Sequence, residues 1–65
     1  MKKYLVVIYD WEVGFDDRLD FTRKRDAIAY ARAQLLHYDS AAVLNLVDRC
    51  IVASFRDFPV ECISF

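Results

Sequence analysis

The sequence predicts an α+β fold of two layers in ββαββ order: one mainly antiparallel four-stranded sheet with a single helix packed on one face. Three observations carry this. Two runs with strand-like patterning precede a stretch whose apolar positions recur at helical spacing, and two more follow it. Gly14 and Pro59, the sole glycine and proline, each fall where one segment gives way to the next. The 65 residues contain no repeat, low-complexity tract or linker, so residues 1–65 read as one domain.

The first strand reads from Lys3 to Val13. Its first half, YLVVIY, is apolar on both faces, as a central strand should be, and Tyr9, Trp11 and Val13 then alternate with Asp10 and Glu12. The chain turns around GFDD, and Leu19 and Phe21 alternate with Arg18 and Asp20 in a short second strand. Pairing Trp11 with Phe21 on the core face sets Glu12 directly opposite Asp20. Thr22 is the expected N-cap of a helix over RKRDAIAYARAQLLH, about four turns long. At about 100° per residue, Ile28, Ala31, Leu35 and Tyr38 share the core side, and Asp26, Tyr30, Ala33 and His37 the outer side. AAVLN and CIVASF are two strands joined by a tight turn near LVDR. Arg49 stands there where a hairpin often places glycine, so strain is expected. DFP ends this hairpin, and VECISF is expected as an extra edge strand.

A domain of this size takes only about 60% of its unfolded surface out of water, so a staple, metal or partner would help it. Cys50, Cys62 and His37 match no zinc spacing. The opening MKKYLVVIYDWE has a basic start, but its apolar run ends at Asp10, too soon for a signal peptide or a membrane helix. The expectation is a cytoplasmic protein with reduced thiols and no membrane association. Hydrophobic residues make up 57% of the chain, against about 45–50% in ordinary domains, which excludes disorder. A net charge of -1 gives no overall field toward nucleic acid or membranes.

One helix shelters one face of a sheet. Tyr4, Val6 and Ile8 point away from Leu5, Val7 and Tyr9, and the later strands are likewise apolar on both sides. Contiguous exposed apolar surface usually marks an interface. The expectation is therefore a homodimer, with Tyr4, Val6 and Ile8 as the self-association strip, or docking on another protein. The alternative is that PVECISF folds under the sheet and covers the second face itself.

The stretch YDWEVGFDDRLDF sets five carboxylates, Asp10, Glu12, Asp16, Asp17 and Asp20, against the single cation Arg18. Turns favour aspartate and exposed strand faces favour charge, which accounts for such a run without function. Read functionally, the hairpin offers an acidic face to a basic protein, with Phe15 at its tip or Trp11 as aromatic anchor. Partner binding is thus assigned to Asp10, Glu12, Phe15, Asp16, Asp17 and Asp20. The spacing does not fit the D-x-[DN]-x-[DN]-G loop, and no metal is expected.

Arg23, Lys24 and Arg25 occupy the first helical turn, where the macrodipole disfavours cations. Nearby aspartates account for the run simply; the functional reading is an anion held by Arg23 and Arg25 beside free helix N–H groups. His37 with either cysteine matches no catalytic signature, and a chain this short has little volume for a water-excluding pocket. Neither enzyme activity nor a cofactor is expected. Tyr30 and His37, on the outer side of the helix, form a second candidate surface.

In size and character, though by no motif, the chain is similar to compact accessory proteins of phages and other mobile elements, which often bind and block a host enzyme. The expected function is a small non-enzymatic protein-binding module that occludes a larger partner through its acidic hairpin. The alternatives are a self-associating structural module, a dimer sequestering a small anionic ligand, and, less favoured for want of any recognised motif, a nucleic-acid binder.

Overall fold

The computed structural model describes residues 2–12 and 14–63, and of residues 15–18 and Cys62 the backbone alone. The elements follow the expected order: β1 Tyr4–Asp10, β2 Gly14–Phe21, α1 Lys24–Gln34, β3 Ser40–Asn45 and β4 Cys50–Phe55. All strand pairs are antiparallel, in the order β2-β1-β3-β4. β1 is therefore central, and α1 links the edge strand β2 to β3 on the far side of β1. That placement explains why YLVVIY is apolar on both faces: helix covers one side, and a second apolar layer covers the other.

The first hairpin turns earlier than expected. β1 pairs with β2 as Tyr4↔Phe21, Leu5↔Asp20, Val6↔Leu19 and Asp10↔Gly14. Trp11 and Glu12 thus sit in the turn, and the expected Trp11–Phe21 pair does not form. Asp20 faces Leu5 rather than Glu12, so the anticipated opposition of like charges is absent. The physical reason is Gly14, whose φ of 83° lies in the left-handed region open to glycine. It lets β2 begin at Gly14, opposite Asp10, giving the apolar half of β1 its full length of partners. The register slips between Val7 and Ile8, leaving Asp17 as the extra residue of a bulge.

The helix is shorter than expected, 11 residues, and its N-cap is Arg23 rather than Thr22, with no side-chain cap. Its last turn tightens, with Leu35 N–H donating to the Arg32 carbonyl and Leu36 N–H to that of Ala33. Ala27 and Ala31 are fully buried against Val6, Ile8, Ala41 and Val43. Alanine at both positions brings the helix close to the sheet. The buried stripe is centred on these alanines, so Tyr30 reaches the core from one flank while Ile28 and Leu35 reach it from the other. The Tyr30 ring lies 5.3 Å from that of Phe21, which corrects its expected place on the outer side.

Every residue of β3 is buried. Its last residue, Asn45, organises the turn to β4: the side-chain carbonyl accepts from Val47 N–H and Asp48 N–H, and the amide donates to the Asp48 carboxylate. Arg49 closes the turn at φ 54°, the strained conformation expected of it.

On the second face Val7, Ala42, Leu44 and Phe58 form a separate buried cluster flanked by Leu5, Tyr9 and Ile63. Phe58 and Ile63 come from the C-terminal segment, which passes under the sheet. VECISF adds no edge strand within the described residues; Val60–Cys62 is a 3-10 turn. Arg56 and Asp57, at φ 56° and 57°, steer the chain off the sheet, and Pro59 lacks the N–H a ladder needs. Two expectations are corrected together. Tyr4, Val6 and Ile8 lie beneath the helix, with Val6 and Ile8 at 0% exposure, so they offer no self-association strip. The opposite face is sheltered by the chain's own tail. Among the described residues no helix is long and apolar enough to cross a membrane.

Candidate functional site

Among the described residues, the β1–β2 turn carries the most exposed aromatic side chain. Trp11 is 62% exposed, yet it is held from two directions. Its backbone N–H donates to Asp39 Oδ2 at 2.6 Å. Its ring stands edge-on to Tyr9, with centroids 5.0 Å apart, and Tyr9 in turn meets Phe58 edge-on at 6.3 Å. A row of rings therefore runs from solvent at Trp11 to the buried Phe58. Topology explains the Asp39 contact: β3 begins at Ser40 opposite Tyr9, so the residue before it falls beside the turn.

Carboxylates flank this tryptophan. Asp10 Oδ1 accepts the Glu12 N–H at 2.9 Å, fixing the start of the turn, and the Glu12 side chain is exposed. Asp39 supplies a third carboxylate from across the sheet. Chemically the end of the hairpin is an amphipathic ring inside a negative rim, an arrangement suited to a basic, partly apolar surface. Among the described residues no group of three or more His, Cys, Asp or Glu is placed to hold a metal ion.

The structure divides the residues singled out from sequence. Asp10 and Glu12 come together with Trp11. Asp20 is exposed at the far end of β2, about 20 Å along the strand from Gly14. The side chains of Phe15, Asp16 and Asp17 lie outside the described residues; the backbone sets Phe15 in β2 opposite Tyr9, so the tip belongs to Trp11. Arg23 and Arg25 are exposed at the start of α1, at the end of the sheet away from Trp11, with no described polar group converging on them. His37 is exposed just past the helix, near the Ser40 end of β3, while the free, exposed Cys50 pairs with Asn45 at the other end. They are not brought together.

Asp39 is the site residue that sequence reasoning passed over. Its one signal in the sequence is its place in YDS, just after the expected helix, where an aspartate favours a turn. In comparisons with known proteins, no family model, no curated protein and no solved structure shows a significant match to this chain.

Proposed function

We propose that the protein is a small, non-enzymatic protein-binding module that docks on a basic partner through its first hairpin. Trp11 is the anchor, and Asp10, Glu12 and Asp39 are the charged rim. The observation that carries this reading is the combination at Trp11: a large ring left 62% in water, but pinned by a backbone hydrogen bond and an edge contact. A ring pre-positioned in this way loses little freedom on binding, which is what an interface anchor requires. The rim accelerates encounter with a positive surface more than it tightens the final complex. The mode of action is occlusion, a 65-residue plug seated on a larger protein.

The test is affinity capture from a lysate with the tagged chain, read by mass spectrometry and repeated with two variants. Trp11→Ala should abolish capture, with a loss of about 2 kcal/mol or more in binding, and should leave the folded state intact because so much of the ring is already solvated. Glu12→Lys should slow association and flatten its dependence on salt. A partner retained undiminished by Trp11→Ala would remove the reading.

A further inference from the structure

The cover over the second sheet face is attached unlike the rest of the fold. Within the described residues it contributes no strand. Phe58 and Ile63 hold it by packing against Leu5, Val7, Tyr9, Ala42 and Leu44, and its 3-10 turn closes on itself through Ile63 N–H to the Val60 carbonyl. It leaves β4 through two residues, Arg56 and Asp57, at φ 56° and 57°. Consecutive non-glycine residues in the left-handed region are uncommon, because Cβ crowds the backbone there. The Arg56 guanidinium latches this hinge, donating to the Leu35 carbonyl at 3.0 Å. Strain is thus concentrated at a two-residue joint between a complete sheet and a side-chain plug.

We propose that this plug, residues 58–63, exchanges between two copies of the chain, each seating its Phe58 and Ile63 under the partner's sheet. A plug that fits its own sheet fits an identical one equally well, so exchange needs no new complementary surface. What changes is the hinge: Arg56 and Asp57 straighten into extended backbone running on from β4, and their left-handed strain is released. Short strained hinges favour such exchange. The occupant of the second face is a second copy because the face is already filled by this chain's own Phe58, buried to 4% exposure. The exchanged dimer carries two Trp11 surfaces and becomes bivalent, without any change at either one.

Refolding the purified chain across a wide range of concentrations, followed by light scattering on a sizing column, reads the outcome. Exchange predicts a dimer that is enriched by concentrated refolding and persists on dilution. Chains labelled separately with donor and acceptor dyes should show energy transfer only after co-refolding. Asp57→Gly removes the Cβ crowding but keeps the Arg56 latch. It should weaken dimerisation about tenfold, since each dimer contains two hinges. Asp57→Pro, whose φ cannot become positive, should drive the chain toward the dimer. A wild-type chain that stays monomeric at every refolding concentration overturns the proposal. So does a dimer whose constant is unmoved by Asp57→Gly, and these two measurements decide even if the proline variant fails to fold.

Discussion

Trp11 and Asp39 stand 28 positions apart in sequence and are joined by a hydrogen bond from the Trp11 backbone N–H to Asp39 Oδ2, 2.6 Å long. The bond ties the tip of the first hairpin to the loop that leads out of α1. It fixes where the indole starts from, while the Tyr9 ring fixes which way it faces. Asp39→Ala should therefore lower stability by only about 1 kcal/mol, the usual worth of a solvent-accessible hydrogen bond. Its effect on partner affinity should be larger, about tenfold, because an anchor that wanders must be ordered on binding. Asp39→Asn retains an acceptor oxygen and should fall between. Urea denaturation beside a binding titration separates the two effects.

Phe58 carries the second core. Its ring, 4% exposed, is the large side chain that the tail sets against Val7, Ala42 and Leu44. Truncation to alanine typically costs about 3–5 kcal/mol at such a site. That is comparable with the whole stability of a domain this size, at roughly 0.05–0.15 kcal/mol per residue. Phe58→Ala should be largely unfolded or molten at physiological temperature, with strong binding of a hydrophobic dye; Phe58→Leu should retain a cooperative melt. An alanine variant with an unchanged melting temperature would show that the tail is not a structural cover.

How far the fold could be read in advance follows from which forces are local. Element order was legible because spacing of apolar residues is a local property: the alternation of Leu19 and Phe21 with Arg18 and Asp20 and the helical spacing of Ile28, Ala31 and Leu35 are visible in the chain itself, whereas the centring of the buried stripe on Ala27 and Ala31 is not. Arg49 was legible for the same reason, since a four-residue turn constrains its own dihedral angle. Register was not. Nothing within YDWEVGFDDRLDF states whether Trp11 or Tyr4 opposes Phe21; that is decided by the total apolar contact of β1 with β2, together with the freedom of Gly14. The destination of the tail is a long-range choice too. An apolar tail and an apolar second face were both apparent, but the mutual burial of Phe58 and Leu44 is a tertiary fact. Of the carboxylates that the structure sets beside Trp11, Asp10 and Glu12 stand out in the sequence by charge, whereas Asp39 was invisible until topology brought the start of β3 beside the turn.

Ser40 is a small flaw in that second layer. It opens β3 opposite Tyr9, is 0% exposed, and its hydroxyl has no hydrogen-bond partner among the described residues. An unmet buried hydroxyl costs about 1–3 kcal/mol relative to its state in water. Ser40→Ala removes the oxygen and almost no volume. The expected result is a protein about 1 kcal/mol more stable, seen as a higher urea midpoint at unchanged slope. A destabilised variant would mean the hydroxyl is satisfied in solution by ordered water.

Gly14 offers the complementary case, where the space is free and the backbone is not. A Cβ placed there meets nothing within 4 Å, but φ stands at 83°. Steric collision with neighbours is thus removed as a cause, and any penalty for Gly14→Ala comes from forcing an L residue into left-handed backbone, about 1–2 kcal/mol. Gly14→Asn should cost less, because asparagine tolerates that region. Since the turn positions Trp11, the alanine variant should also weaken partner binding more than its loss of stability accounts for. Chemical denaturation of the two variants gives the ranking; equal stability of alanine and asparagine would place the cost somewhere other than the dihedral angle.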